Sequence, residues 1–548
     1  MSEPDNDHGM TAIGRWRRTG SPTWMFLAVG LLAVASFPGL SAEADSCSAE
    51  DKLTPSVGEY TDNFGLSVSV DGDTGVVGVP GDGTAGYRTG AIYFVRRISG
   101  LWLLEEKLPA PDGGLYDWFG TSVSLSGNTL AVGAPNANGS TDFSGAVYVF
   151  ERIEGVWTEA TRIATADLVP GSRFGDAVSL DGDTLAIGAP GANGGAQQSG
   201  AVYVFVRTGG GWTQQAMLVA HDPTSLEEFG GSVSLSVDTV VAGAYRDQDQ
   251  GYETGAAYVF TRNGGRWGEE AKLAPGGAAP ADRFGWSVSL FRDTLAVGAP
   301  FASSSGSVTL FHRSGGAWTE TDTVFASDPS TGGWFGWSVS LDEDLLAVGA
   351  PSANEAYLFS PCGGIWREQN RLLASDGPGD RWFGFSIALS GDTVLVGAPK
   401  DSPHGTFSGS AYLSMGCVPE CLLPCPRSPG YWKAHPAAWP IDLLRLGAEL
   451  YTRDELLNLL SRGPAGDASL MLANQLVATY LNVVHGSDPV PVVQTVVDAD
   501  ALLSNFTGRL PYTVRPSTVE GRTMIELAGD LERYNSGALT PGCIPPRE

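Results

Sequence analysis

Residues 174–190 read Phe174-Gly175-Asp176-Ala177-Val178-Ser179-Leu180-Asp181-Gly182-Asp183-Thr184-Leu185-Ala186-Ile187-Gly188-Ala189-Pro190. Phe174, Val178 and Leu180 alternate with Gly175, Ala177 and Ser179, and Leu185 and Ile187 alternate with Ala186 and Gly188. A period of two is that of a β-strand, whose successive side chains leave opposite faces. Asp181-Gly182 between the two runs suits a two-residue hairpin turn, which needs the positive φ that Gly adopts freely. Ser199 to Arg207 and Trp212 to Leu218 supply a third and a fourth strand, joined through Gly209-Gly210-Gly211. Each sheet then has a bulky face and a shallow face, and bulky faces can seat in the shallow faces of neighbours. Radially stacked blades require that arrangement and an open sandwich does not.

The unit recurs. Phe-Gly stands at Phe64, Phe119, Phe174, Phe229, Phe284, Phe335 and Phe383, at steps of 55, 55, 55, 55, 51 and 48 residues. Fourteen residues after each Phe comes the Gly of Gly-Ala-Pro or a variant: Gly78, Gly133, Gly188, Gly243, Gly298, Gly349 and Gly397. Seventeen residues before each Phe from the second repeat on stands a Trp, from Trp102 to Trp366. Seven copies predict an all-β, seven-bladed β-propeller.

The seventh copy stops after Ser408 to Leu413, without an outer strand. Lys52-Leu53 lies 11 residues before Phe64, as Lys107-Leu108 lies 11 before Phe119. The N-terminal segment is therefore expected to close the ring by pairing with the last blade, which removes exposed strand edges. Cys47 occupies the Trp position and Cys417 the end of the last blade's third strand, so a Cys47–Cys417 disulfide is expected, with Cys421 as the competing partner.

These units resemble the FG-GAP repeats of integrin α-chains and of related bacterial exported proteins, over about residues 47–417. The resemblance implies a propeller used for adhesion or ligand recognition. In integrin-like members calcium sits in a longer acidic loop between strands one and two. Here that loop is Asp181-Gly182-Asp183 or its equivalents, too short to wrap a cation, and Asp71, Asp73, Asp181 and Asp183 read as turn formers. No cofactor is expected. Calcium stays open only at acidic rim pairs, Asp247 with Asp249 or Asp376 with Asp380.

Antiparallel order puts the segments before Phe-Gly and after Gly-Ala-Pro on one face. They vary in length and composition, and variable loops on a rigid ring are the natural place for recognition. The candidate ligand-binding residues are Asp112, Asp117 and Trp118, then Arg246, Asp247, Asp249 and Tyr252, then Asp376, Asp380 and Trp382.

The net charge of −28 disfavours nucleic acid as a partner. Arg15, Arg17 and Arg18 precede an apolar run from Trp24 to Val34, with Ala42-Glu43-Ala44 at cleavage distance. Residues 1–44 thus read as a secretory signal peptide, and no membrane span is expected in the mature chain. The six cysteines Cys47, Cys362, Cys417, Cys421, Cys425 and Cys543 suit an oxidising compartment. Cys417, Cys421 and Cys425 at spacings of four are the alternative metal reading, with no fourth local ligand.

After the propeller, 45–417, residues 418–548 read as a helical domain. Thr452 to Glu455 is a capping box for a helix through Leu460, and Asp467 caps another to about Val484. Its first stretch, Ser428-Pro429-Gly430-Tyr431-Trp432-Lys433-Ala434-His435-Pro436, resembles one seen in bacterial exported proteins. Lys433 and His435 are site candidates there against simple aromatic–proline packing. A Cys425–Cys543 disulfide would pin the domain's ends. With no Gly-x-Ser-x-Gly, no His-Glu-x-x-His and scattered histidines, the chain reads as a non-enzyme. The expectation is a secreted or cell-surface protein that recognises an extracellular protein or glycan. An exported hydrolase or lyase, or a matrix component, is the alternative.

Overall fold

A computed structural model describes residues 51–55, 61–328, 333–362, 365–377, 379, 381–415, 426–436, 439, 441, 443–463, 466–484, 487, 490–536 and 539. Seven four-stranded antiparallel sheets form the seven blades of a β-propeller. Blade III shows how the alternation is spent. Its strands are Val178–Asp181, Thr184–Ala189, Ala201–Thr208 and Gly211–Leu218, and the second is buried along its whole length. A bulge between Val204 and Phe205 adds twist, and the corresponding bulge recurs at Val149/Phe150, Val259/Phe260, Leu310/Phe311 and Leu358/Phe359.

Glycine decides how closely the blades approach. A Cβ on Gly188 would lie 2.0 Å from the Gly230 carbonyl oxygen of the next blade, so no larger residue fits. Serine then ties the blades together. The hydroxyl of Ser122 donates to the Gly175 carbonyl at 2.8 Å, and Ser386 does the same to Gly65 across the ring closure at 2.9 Å. Two residues on from Ser122, Ser124 accepts from the Leu180 amide at 2.9 Å, which sets the first strand of one blade against the first strand of the next.

The ring closes as expected. Asp51–Leu53 pairs with Ser410–Ser414 of the last blade, Lys52 opposite Tyr412 and Leu53 opposite Ala411. The same ladder step joins Tyr93 to Lys107 and Ile92 to Leu108 in blade I. The proposed Cys47–Cys417 and Cys425–Cys543 disulfides, Cys421 and the leader 1–44 lie outside the described residues. Cys362 ends the strand Glu355–Cys362.

The turn aspartates between strands one and two serve the frame. Asp71 accepts from the Gly127 amide of the next blade at 2.6 Å, and Asp181 from Val237 at 2.6 Å. Asp73 pairs with Arg97 and Asp183 with Arg207. These arginines also lie over Trp102 and Trp212, at 5.7 Å to each ring centroid, which accounts for the repeating Trp.

The helices follow after Ser428. Thr452 and Glu455 form the expected capping box of Arg453–Ser461, and Asp467 accepts from the Ser469 amide at the start of Ala468–Val484. Val493–Leu503 and Val519–Asn535 complete the helical core. A hairpin, Leu443–Leu446 with Glu449–Thr452, stands where helix was expected. Leu446 and Tyr451 are buried while Leu443 and Leu450 are exposed, so the leucine-rich stretch follows a period of two. Trp432, wholly buried, donates its indole N–H to Asn482 at 2.9 Å, so the centre of the 428–436 stretch is packing; Lys433 and His435 are exposed.

Candidate recognition site

Each Phe-Gly lies inside a four-residue turn. The residue after Gly donates its amide to the carbonyl of the residue before Phe: Thr121 to Trp118 at 3.2 Å, Asp176 to Arg173 at 3.0 Å, Trp286 to Arg283 at 3.2 Å, Trp337 to Trp334 at 3.1 Å and Phe385 to Trp382 at 3.1 Å. The frame holds this turn from both sides. The Phe174 amide donates to Ser144 of the preceding blade, and the Gly175 amide donates to Gly188 of its own. The Phe ring is buried, and in blades III, VI and VII the two flanking side chains touch: Arg173 with Asp176, Trp334 with Trp337 and Trp382 with Phe385.

The residue before Phe has positive φ in all seven turns: Asn63 59°, Trp118 59°, Arg173 57°, Glu228 56°, Arg283 55°, Trp334 58° and Trp382 56°. Asn tolerates this region, whereas Trp, Arg and Glu are strained there by roughly 1 kcal/mol each. Backbone strain of this kind clusters where a side chain is needed for function. The frame repeats blade after blade and the flanks do not.

The flanks sort into two halves. Over blades III and IV they are ionic: Arg173 meets Asp176 across its turn at 2.5 Å and Glu228 of the next turn at 3.3 Å. Arg246 reaches Glu228 at 3.2 Å, and the Tyr245 hydroxyl donates to the same carboxylate. Burial pushes the Asp176 carboxyl upward, and Arg173 opposes it. From Trp286 of blade V through blades VI and VII the flanks are aromatic, while Arg283 on the other side of the blade V turn pairs with Glu253. Trp286 touches Tyr245 at 4.8 Å and Trp337 at 4.6 Å between ring centroids. Trp337 continues to Trp334 at 5.1 Å and Phe385 at 5.4 Å, and Phe385 stacks on Trp382 at 5.5 Å. Tyr245 joins the halves, with its ring on Trp286 and its hydroxyl on Glu228.

The FG-GAP repeat family matches residues 47–95, 102–150, 157–205, 212–260, 267–311, 318–359 and 366–414, more than half of the chain. This chain belongs to the FG-GAP repeat family. No curated protein matches it. Each matched segment runs from the outer strand of one blade into the third strand of the next, as 157–205 runs from Trp157 to Phe205. That one-strand offset is why the first FG-GAP segment contains the strand that closes the ring.

Of the rim residues read from the sequence, Trp118, Trp382 and Arg246 belong to this FG-GAP turn ring. Trp118 is 38% exposed, and Trp382 carries Lys400 Nζ at 3.3 Å from its ring centroid. The rim carboxylates lie farther out, against the outer strands. Asp247 is buried, 2.8 Å from Lys272 and 2.9 Å from the Tyr258 hydroxyl, and Asp249 meets the same Lys272. Asp376 lies 2.6 Å from Lys52, and Asp112 accepts from Tyr148 at 2.5 Å. Asp117 accepts from the Gly114 amide inside its own loop, and burial pushes its carboxyl upward. Tyr252 is exposed on the loop after the Gly-Ala of blade IV. Asp380 lies outside the described residues. Among the described residues no cluster of three His, Cys, Asp or Glu is arranged to hold a metal ion.

The reading from sequence passed over Arg173, Asp176, Glu228, Trp286, Trp334, Trp337 and Phe385. Their signal was available in the repeat alignment: positions one before Phe-Gly and one after it are where otherwise matching units diverge.

Proposed function

We propose that this FG-GAP propeller is an exported, adhesion-type protein that captures an extracellular protein or glycan at the turn ring, by binding and not by catalysis. The observation that carries this reading is the non-repeating flank of the Phe-Gly turns, strained wherever Trp, Arg or Glu stands in place of Asn, on an otherwise repeating frame. The Arg-led apolar segment near the N-terminus supports export. No described helix is long and apolar enough to cross a membrane. Asp176 and Glu228 meet at Arg173, the kind of acid pair a hydrolase or lyase would use, but guanidinium groups neutralise both, which favours recognition.

The test is capture on arrays of extracellular-matrix proteins and glycans, comparing the wild type with Trp337→Ala/Phe385→Ala and with Arg266→Ala, an exposed residue at the opposite end of blade IV. Capture lost by the ring variant and kept by Arg266→Ala is expected. Equal capture by all three would sink the proposal.

A further inference from the structure

Blade VI lacks an arginine that the frame repeats. In blades I to V the residue opposite the repeating Trp across the ladder is Arg97, Arg152, Arg207, Arg262 and Arg313, and in blade VI it is Pro361, opposite Trp366. Blade III shows what the guanidinium does there. Arg207 meets Asp183 of its own turn at 2.6 Å, Thr129 of the preceding blade at 3.3 Å and Glu151 beside that threonine at 3.0 Å. Arg152, Arg262 and Arg313 reach Thr74, Thr184 and Thr239 in the same way, at 3.1–3.2 Å. All five arginines lie over their Trp rings at 5.2–5.7 Å.

The acceptors are still in place. Asp344 stands nine residues after Phe335, as Asp183 does after Phe174, and Thr294 stands ten after Phe284, as Thr129 does after Phe119. His312 is paired with Thr294 as Glu151 is with Thr129, and offers an imidazole nitrogen where Glu151 offers a carboxylate. Among the described residues the Asp344 and Thr294 side chains have no hydrogen-bonding or ionic partner, and no cation lies over Trp366. Asp344, Thr294 and His312 line a solvent-open cleft of about 340 Å³ between blades V and VI, with Glu343 as a second carboxylate. Thr294 is half-buried there, whereas Thr129, Thr184 and Thr239 are buried. The corresponding cleft between blades II and III, of about 290 Å³, has Arg207 in its wall where this one has Asp344. Arg292, also at the cleft, lies over Phe291 at 5.1 Å and answers no carboxylate among the described residues, and Asp293 is answered by Arg313. In blade VII, where the chain has Gly416 at the arginine's place, Leu345 stands in place of the threonine, so the acceptor set is not repeated there.

We propose that the cleft between blades V and VI is a guanidinium site that receives an arginine side chain of an extracellular polypeptide. Asp344 is its ionic partner, as Asp183 is for Arg207, Thr294 and His312 accept further N–H groups, and Trp366 supplies the ring that each sister arginine has. A flat group with five donors suits these acceptors better than an ammonium, and five blades already hold one against their own turns. The site lies at the hairpin end of the blades, opposite to the Phe-Gly turns, and does not depend on the turn ring.

The experiment is saturation-transfer NMR of the mature protein with a nine-residue Gly/Ser peptide carrying one central arginine, with its lysine and citrulline counterparts, and with Nα-acetylarginine amide. The arginine peptide is expected to bind, the lysine peptide about fivefold more weakly, and the citrulline peptide, which keeps the shape without the charge, not at all. Pro361→Arg should abolish binding by filling the cleft from within, and should raise the melting temperature because the frame regains its own guanidinium. Asp344→Asn should weaken binding about tenfold. Pro361→Ala, which leaves the cleft open, and Trp337→Ala/Phe385→Ala, which alters only the turn ring, should bind as the wild type does. No transfer to the arginine peptide at millimolar concentration, equal transfer to the lysine peptide, or binding that survives both Pro361→Arg and Asp344→Asn would overturn the guanidinium site. Nα-acetylarginine amide binding as tightly as the peptide would overturn the polypeptide as its source.

Discussion

Lys52 Nζ stands 2.6 Å from Asp401 Oδ2, an ion pair spanning 349 positions that joins the closing strand to the last blade. Asp401 also accepts from the hydroxyls of Ser410 at 2.6 Å and Tyr412 at 3.2 Å. Burial alone would raise its carboxyl, but Lys52 and Ser410 outweigh burial and hold it at about 2. A depressed carboxylate contributes stability above its unfolded value of 3.8 and loses it as pH falls through the folded one. Asp401→Asn is expected to lower unfolding free energy by about 2 kcal/mol at neutral pH. Urea unfolding across pH should show the gap to wild type closing between pH 3.8 and about 2. A gap that stays constant over that range contradicts the assignment.

Blade III lacks one of the serine ties. Ser67, Ser122, Ser232, Ser287, Ser338 and Ser386 each donate to the Phe-Gly glycine carbonyl of the following blade at 2.8–2.9 Å, and Ala177 occupies the matching place before Gly230. Ala177→Ser should gain that bond, raising stability by about 1 kcal/mol, and Ser232→Ala should lose about as much. Chemical denaturation of the two variants checks the pair, and a loss in both would mean that Ala177 is fitted to its own packing.

The blades could be read from sequence because their determinants are steric and local: Gly188 has no room for a Cβ, Phe174 is buried, and both recur at fixed spacing. The site was harder. Acidic loop residues drew attention, yet Asp247 and Asp376 are answered by Lys272 and Lys52 on outer strands, and the partner of Asp376 lies 324 positions away. Blades I, IV and VII carry Asp82, Asp247 and Asp401 opposite Lys107, Lys272 and Lys52, so the pairing could have been found by comparing copies. The ring escaped notice because the side chains in contact come from five separate turns, in blades III to VII, which the sequence keeps about 50 residues apart. In the C-terminal region, read as a helical domain, Leu443 to Thr452 folds as a hairpin around Gly447, whose amide donates to Asp500 at 2.6 Å.

Asn482 is the centre of the helical core's polar contacts. It accepts from the Trp432 indole at 2.9 Å and the Arg427 amide at 2.8 Å, and donates to the carbonyl of Arg427 at 2.9 Å and to Asn535 at 2.8 Å. Asn482→Leu keeps the volume and strands those buried partners, which should cost about 3 kcal/mol. Amide exchange in Ala468–Val484 is expected to accelerate while Thr184–Ala189 of blade III keeps its protection. Unchanged exchange in that helix would show that packing alone holds Trp432.

Trp118 separates strain kept for recognition from strain kept for folding. Its φ of 59° lies in the region that Asn63 occupies at the same place in blade I, and with 38% of its surface exposed the rest of the indole is packed. Trp118→Asn should relieve about 1 kcal/mol of backbone strain and so melt above Trp118→Ala, which gives up the same packing and keeps the strain. Capture of extracellular ligands on the arrays should fall in both variants, because one flank of the ring is gone. Strain relieved in Trp118→Asn with capture lost in both variants is the signature of a side chain held at this turn for binding. Capture that stays at the wild-type level in both variants would instead make Trp118 a structural residue, and would withdraw blade II from the recognition ring.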